Sequence, residues 1–192
     1  MLLPDLWLVQ RARHGDKAAF GKLFDRHSRR VFHLLRRLSD NPSLAEDLTQ
    51  ETFLTAWQSL ERWRGRGALS TWLCGIAVNH WRTHHRQAHE SVPLDEALVE
   101  SDSQADPLAH CTQAESLKAL EQAVAALPES YREVFVLVRI EELSYQEVAQ
   151  LLELPLGTVQ SRLHRATRLL KTALTAHFSP DSDTEKETCH VL

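Results

Sequence analysis

The chain has 192 residues, 43% of them hydrophobic and 25% charged, the balance of a water-soluble globular protein of one domain or two small ones. A formal net charge of −4 excludes a uniformly basic nucleic-acid binder, and no apolar run approaches the roughly 20 residues needed to span a bilayer. Cys74, Cys111 and Cys189 are odd in number and far apart, which argues against a disulfide framework and for a reducing cytoplasm. The first residues, Met1-Leu2-Leu3-Pro4-Asp5, lack the positive start and long apolar core of a signal peptide.

The mean charge conceals a segmented chain. Between Leu156 and His177 stand Arg162, Arg165, Arg168 and Lys171 with no acid, whereas Glu90 to Glu129 carries acids throughout and only Lys118 against them. Local charge of this kind says more about partners than the net value does.

Leu6, Leu8, Val9 and Ala12 open a short helix that Gly15 ends, and Asp16 is placed to cap the next. That helix runs to about Leu38, with Phe20, Leu23, Phe24, His27, Val31, Leu34, Leu35 and Leu38 on one side. Lys22, Arg26, Arg29, Arg30, Arg36 and Arg37 line the other, a face read as solvated. After a turn at Asp40-Asn41-Pro42-Ser43, Ser43 and Glu46 have the spacing of a capping box. Ala45, Leu48, Thr52, Phe53, Ala56, Trp57 and Leu60 form a buried stripe, opposite Asp47, Gln50, Glu51, Leu54 and Gln58. A basic, aromatic, glycine-bearing loop, Arg62-Trp63-Arg64-Gly65-Arg66-Gly67, leads into a helix with Leu69, Trp72, Leu73, Ile76 and Ala77 on its apolar side. Cations beside aromatics suit a surface that neutralises phosphates and stacks unpaired bases. Trp72 is assigned to the core, and Trp63 is divided between core and DNA face.

Residues 89–107, rich in Ser, Pro and acids, are expected to form a flexible linker. Helical pattern resumes near Leu108, with Ala114, Leu117, Leu120, Val124 and Leu127 on one face. Pro128 opens a further helix, and Ser144 with Glu147 spaces a second capping box. The turn Glu153-Leu154-Pro155 then leads to a last helix from about Leu156 to His177. The pair forms a helix–turn–helix, whose second helix enters the major groove by its N-terminal residues. Glu153 stands where such turns favour glycine, so a left-handed backbone there costs on the order of 1 kcal/mol. The expected fold is all-α: two small helical domains, 1–88 and 108–178, a flexible linker, and an acidic tail, 179–192.

Asp47-Leu48-Thr49-Gln50-Glu51-Thr52-Phe53, Ala56-Trp57, Arg64-Gly65, Thr71-Trp72-Leu73 and Ile76-Ala77-Val78-Asn79 together resemble region two of the extracytoplasmic-function sigma factors, promoter-recognition subunits of bacterial RNA polymerase. Ala126-Leu127-Pro128, Ser144-Tyr145-Gln146-Glu147-Val148-Ala149, Gly157-Thr158-Val159 and Ser161-Arg162-Leu163-His164-Arg165-Ala166 resemble region four of the same family. The resemblance implies a polymerase-binding face of Asp47, Gln50, Glu51 and Leu54. It implies a minus-ten surface of Trp63, Arg64, Gly65, Arg66, Ser70, Asn79 and Arg82. It implies a minus-thirty-five surface of Thr158, Gln160, Ser161, Arg162, His164 and Arg165, where Gln pairs with adenine and Arg with guanine. The implied partners are core RNA polymerase, promoter DNA and an anti-sigma factor, without membrane insertion.

His80 and His84 lie one helical turn apart, near His85, His89, His110 and Cys111, and such a pair can bind zinc. No Cys-x-x-Cys or spaced carboxylate set accompanies them, so no metal or other cofactor is expected; Arg82, His84, His85 and Arg86 suit phosphate equally well. No nucleotide loop or nucleophile elbow marks an enzyme. The competing function is a stand-alone helix–turn–helix regulator whose N-terminal domain senses a ligand or metal.

Overall fold

The computed structural model describes residues 3–65, 67–90 and 113–178, so the expected linker beyond Glu90 and the acidic tail lie outside the described residues. Among the described residues there are helices and no strands. They are α1 (Leu3–Arg13), α2 (Lys17–Ser39), α3 (Pro42–Ser59), α4 (Leu69–Glu90), α5 (Gln113–Ala125), α6 (Glu129–Phe135), α7 (Tyr145–Leu152) and α8 (Leu156–Phe178). Helices α1–α4 pack as one unit and α5–α8 as another, and the two meet along a seam.

Asp16 caps α2 as its position implies, accepting from Ala19 N–H at 3.0 Å. The start of α3 differs from expectation. Asn41, not Ser43, is the cap, and its side chain accepts from Leu44 N–H at 3.2 Å. Pro42 takes the first helical position, where its missing N–H leaves nothing unpaired, and so moves the cap two residues upstream of Ser43. The apolar stripe of α3 is buried as expected, and Thr49 joins it by donating its hydroxyl to Ala45 O at 2.6 Å.

Helix α5 is rotated from its expected setting. Ala119, Val124 and Leu127 are buried, while Leu117 (59% exposed) and Leu120 (38%) point outward. The small Ala119 is buried and Ala123 packs against the core, while the larger leucines stay outside. Pro128 is the N-cap of α6 rather than a helical residue. Beyond Phe135 the helix widens into a π-turn, Val136–Ile140, closed by Glu141 N–H on Val136 O at 3.0 Å. Residues five apart in a regular α-helix point about 140° from each other. The wider turn reduces that angle and turns Glu141 inward with Val136.

Polar groups meet across the seam. Arg30 of α2 donates Nε to Glu141 Oε2 at 2.7 Å and Nη2 to Glu141 O at 2.9 Å, so this cation of the supposedly solvated face is engaged. Arg132 of α6 donates to Leu38 O at 3.1 Å, and His85 Nε2 lies 3.0 Å from Glu129 Oε2. Arg82 of α4 donates to Leu152 O at 3.3 Å and places its Nε 3.6 Å from Glu133 Oε1. Gly75 permits close approach of α7: a Cβ there would stand 3.4 Å from Leu151 Cδ1. Cys74 beneath Glu141 is fully buried, and burial, seconded by the Glu141 charge, pushes its thiol up to about 12, leaving it unreactive.

Two stability predictions follow from these geometries. Glu153 adopts φ 54°, ψ 41° at the C-terminus of α7, a left-handed position where glycine carries no Cβ penalty. Glu153→Gly is expected to raise the unfolding free energy by about 1 kcal/mol in urea denaturation. Glu133 is 5% exposed, and burial pushes its carboxyl up to about 7, with Arg82 pulling the other way. A folded value above the unfolded one means that the folded chain keeps a proton the unfolded chain has lost. The stability contribution of Glu133 therefore falls as pH rises from about 4.5 to about 7. Glu133→Gln removes this dependence. Relative to the parent it is expected to gain stability on the order of 2–3 kcal/mol near pH 8 and far less near pH 5; an equal effect at both pH values would contradict this account.

Candidate nucleic-acid interface

The outer face of α3 presents Asp47, Gln50, Glu51 and Leu54, all exposed, with Leu54 at 59%. Opposite them Ala45, Leu48, Thr52, Phe53 and Ala56 are buried, and aromatic edges from Phe20 and Phe24 meet Phe53. The helix cannot rotate this face inward without expelling that stripe. Acids around a single exposed leucine form a surface able to take a cationic partner with an apolar centre.

The loop after α3 is tied down from α1. The Arg13 guanidinium donates to Leu60 O at 3.2 Å and also to Trp63 O. This anchoring sets the outcome for Trp63, which was expected on the minus-ten surface: it is 6% exposed and belongs to the core. Among the described residues its indole N–H has no acceptor, a cost accepted to bury a large ring. Arg64 and Gly65 are exposed, and Arg66 lies outside the described residues. Gly65 (φ +73°) and Gly67 (φ +80°) hold left-handed conformations open to glycine without strain. Ser70 is half-buried at the start of α4, and Asn79 is exposed further along that helix. Arg82, also expected on this surface, is instead turned into the seam towards Leu152 O and Glu133. Arg64 and Gly65 are thus exposed in the loop, Ser70 is half-buried at the start of α4 and Asn79 exposed along it, whereas Trp63 is buried and Arg82 reaches across the seam with its side chain 41% exposed.

The helix–turn–helix forms as its sequence implies. Ser144 and Glu147 make the reciprocal capping box, with Glu147 N–H on Ser144 Oγ at 3.2 Å and Ser144 N–H on Glu147 Oε2 at 2.8 Å. In α8, Val159, Leu163, Ala166 and Leu170 form the buried stripe. Gln160, Ser161, His164 and Arg165 are exposed opposite it, with Thr158 and Arg162 half-buried at its margins. Arg165 reaches Tyr131 Oη at 3.5 Å, which sets the direction of its guanidinium. No acid stands in the first turn of α8, so its positive dipole end is left for an anion.

The histidines have polar neighbours of their own. His80 Nε2 lies 2.9 Å from Thr55 Oγ1, and His85 meets Glu129. Among the described residues no group of three or more His, Cys, Asp or Glu side chains is arranged to hold a metal. No described helix is long and apolar enough to cross a membrane. Sequence reasoning did not single out Glu133 or Glu141. Glu133 stands in a helix that also carries Glu129, Ser130 and Arg132, and Glu141 caps the π-turn, so no local pattern marks either as buried.

Residues 23–90 match the family model Sigma-70 region 2, and residues 117–170 match Sigma-70, region 4. The chain is 31% identical to an ECF RNA polymerase sigma-E factor of Haemophilus influenzae over 182 residues, 90% of this chain and 96% of the relative. It is 32% identical to RNA polymerase sigma-H factor of Pseudomonas aeruginosa, over 88% of this chain and 93% of the relative. Among solved structures it is similar to CnrH in complex with the cytosolic domain of CnrY, at TM-score 0.64 and 26% identity, covering 90% of this chain and 98% of CnrH. Both matched regions are sigma-70 regions, so the stand-alone regulator is not favoured. With both regions present in order and the match running nearly end to end, the chain belongs to the extracytoplasmic-function sigma factors of the sigma-70 family.

Proposed function

We propose that this sigma factor acts in the cytoplasm by joining core RNA polymerase through the outer face of α3, while the loop after α3 and the N-terminal half of α8 read the promoter. The observation that carries the reading is the pair of outward polar faces, each locked by a buried stripe on the same helix. Asp47 and Glu51 offer carboxylates around Leu54, suited to a basic helical surface of the polymerase. Gln160, Ser161, His164 and Arg165 present base-edge donors and acceptors for the minus-thirty-five element, with Thr158 and Arg162 beside them for phosphates. Arg64, Gly65, Ser70 and Asn79 line a surface on which an unpaired minus-ten base can be held. Opening duplex costs about 1.4 kcal/mol per base-pair step, which captured bases must return.

The protein supplies no catalytic step of its own; bond formation stays with the polymerase. The complex of CnrH with the cytosolic domain of CnrY supports an anti-sigma partner for this chain as well.

Two variants separate the surfaces. Arg165→Ala is expected to weaken promoter binding by the holoenzyme by about 1–3 kcal/mol while leaving one-to-one co-elution with core polymerase intact. Asp47→Arg should abolish co-elution on size-exclusion chromatography and leave the fold, followed by circular dichroism, unchanged. Loss of the same step in both variants would rule out two separate surfaces. Sequence-specific DNA binding as a dimer, with no co-elution of the parent chain, would return the stand-alone regulator.

A further inference from the structure

Helix α1 buries one side and leaves an aromatic ring on the other. Leu8, Val9 and Ala12 are at most 4% exposed and join the core, so α1 is packed without help from Trp7. Trp7 is 53% exposed, and Leu6 beside it 40%. At about 100° per residue, Leu6, Gln10, Trp7 and Arg11 succeed one another around the outward side of the helix, and His14 follows at its end. None of them belongs to the surfaces described above.

This side of α1 adjoins the loop after α3. The Arg13 guanidinium donates to Leu60 O at 3.2 Å and to Trp63 O, and a Cβ on Gly65 would stand 3.8 Å from Leu6 Cδ1. The outward side of α1 therefore continues from Gly65, which is exposed together with Arg64.

Trp7 is held in place rather than left loose. Arg11 lies over its ring, 4.8 Å from the centroid, and Arg11 Nη2 meets Asp16 Oδ2 at 2.5 Å. Asp16 is itself fixed as the cap of α2 by Ala19 N–H. His14 Nδ1 donates to Gln10 O at 2.7 Å, which leaves Nε2 as an acceptor. Trp7, Gln10, Arg11, His14 and Asp16 border an open cleft of about 380 Å³. A fixed indole beside an amide and an imidazole matches the two recognisable parts of an unpaired base, its flat face and its polar edge. Charge favours the same occupant. Asp16, the acid of the cleft, is matched by Arg11, whereas Arg13 gives its donors to neutral carbonyls and keeps its charge between helix and loop. Arg64 adds an exposed cation on the loop side. Such a border suits a phosphate chain.

We propose that the Trp7 side of α1 is a stacking site for an unpaired nucleotide of the promoter strand, next to the base held at Arg64 and Gly65. It rests on the minus-ten surface proposed above and extends it from the loop onto α1. Trp7 takes the face of the base and Gln10 its edge, so that a second captured base offsets part of the cost of opening the duplex.

The test uses holoenzyme assembled from the full chain and a forked promoter fragment whose minus-ten strand is unpaired. Trp7→Ala is expected to weaken binding of this fragment about tenfold, and Trp7→Phe, which keeps a ring, to recover most of the loss. Co-elution with core polymerase and binding of a paired fragment that ends upstream of the minus-ten element should stay unchanged. Abasic sites stepped through the nucleotides flanking the minus-ten element should find one position at which the parent falls to the level of Trp7→Ala and the variant loses nothing more. Equal binding of the forked fragment by parent and Trp7→Ala overturns the proposal. So does an equal loss on forked and paired fragments, or a loss that no abasic position reproduces, because each marks a structural role for Trp7. If Arg64→Ala weakens the forked fragment while Trp7→Ala is silent, the α1 site alone falls; if both are silent, the minus-ten surface falls with it.

Discussion

Burial of one stripe on α2 is the constraint from which most of the structure follows. Leu23, Val31, Leu34, Leu35 and Leu38 are each at most 2% exposed, and each such side chain contributes about 1.5–3 kcal/mol when removed from water. Helices α1, α3 and α4 cover this stripe, and α5 and α6 reach the same helix from the other unit. At 23 residues α2 is about 35 Å long, enough to serve both. Its N-terminal half organises the first unit. Its C-terminal half supplies Arg30 and Leu38 O to the seam.

Polar pairs add selectivity to a seam at which both units share one apolar core. Removing Glu133 and Glu141 from water is costly, and an ion pair in such a place recovers that cost only with good geometry. Arg30 meets Glu141 with two hydrogen bonds and satisfies the condition; Arg82 stands 3.6 Å from Glu133 and does not, which is why burial dominates the Glu133 carboxyl. The π-turn at Val136–Ile140 produces this difference by turning Glu141, but not Glu133, squarely onto a cation. A pairing that tolerates little displacement specifies one docked arrangement and resists slippage to others.

The three candidate surfaces are therefore unequal. The outer face of α3 and the exposed side of α8 are open to partners, because each is the reverse of a buried stripe within its own unit. In the proposed minus-ten surface Arg64, Gly65 and Asn79 are exposed, Trp63 is buried, and Arg82 reaches across the seam with its side chain still 41% exposed.

Much of this was legible in the sequence. Helical periodicity marked the stripes of α2, α3 and α8, because a helix in water must hide its apolar side whatever it packs against. Asp16, Ser144 and Glu147 were recognisable as caps, since capping is settled within one turn of chain, and Glu153 stood out on the same local ground as a residue where such turns favour glycine. The misplaced start of α3 was local as well, Pro42 at the first helical position outweighing Ser43. The remaining differences arose between segments. Which side of α5 turns inward, the burial of Trp63 beneath an arginine fifty residues away, and the capture of Arg30 and Arg82 by the other unit depend on partners distant in the chain. By itself the sequence determined the family, the helices and the two faces of α2, α3 and α8; tertiary packing alone decided which polar side chains stayed in water, because desolvation is a property of neighbours that no local pattern contains.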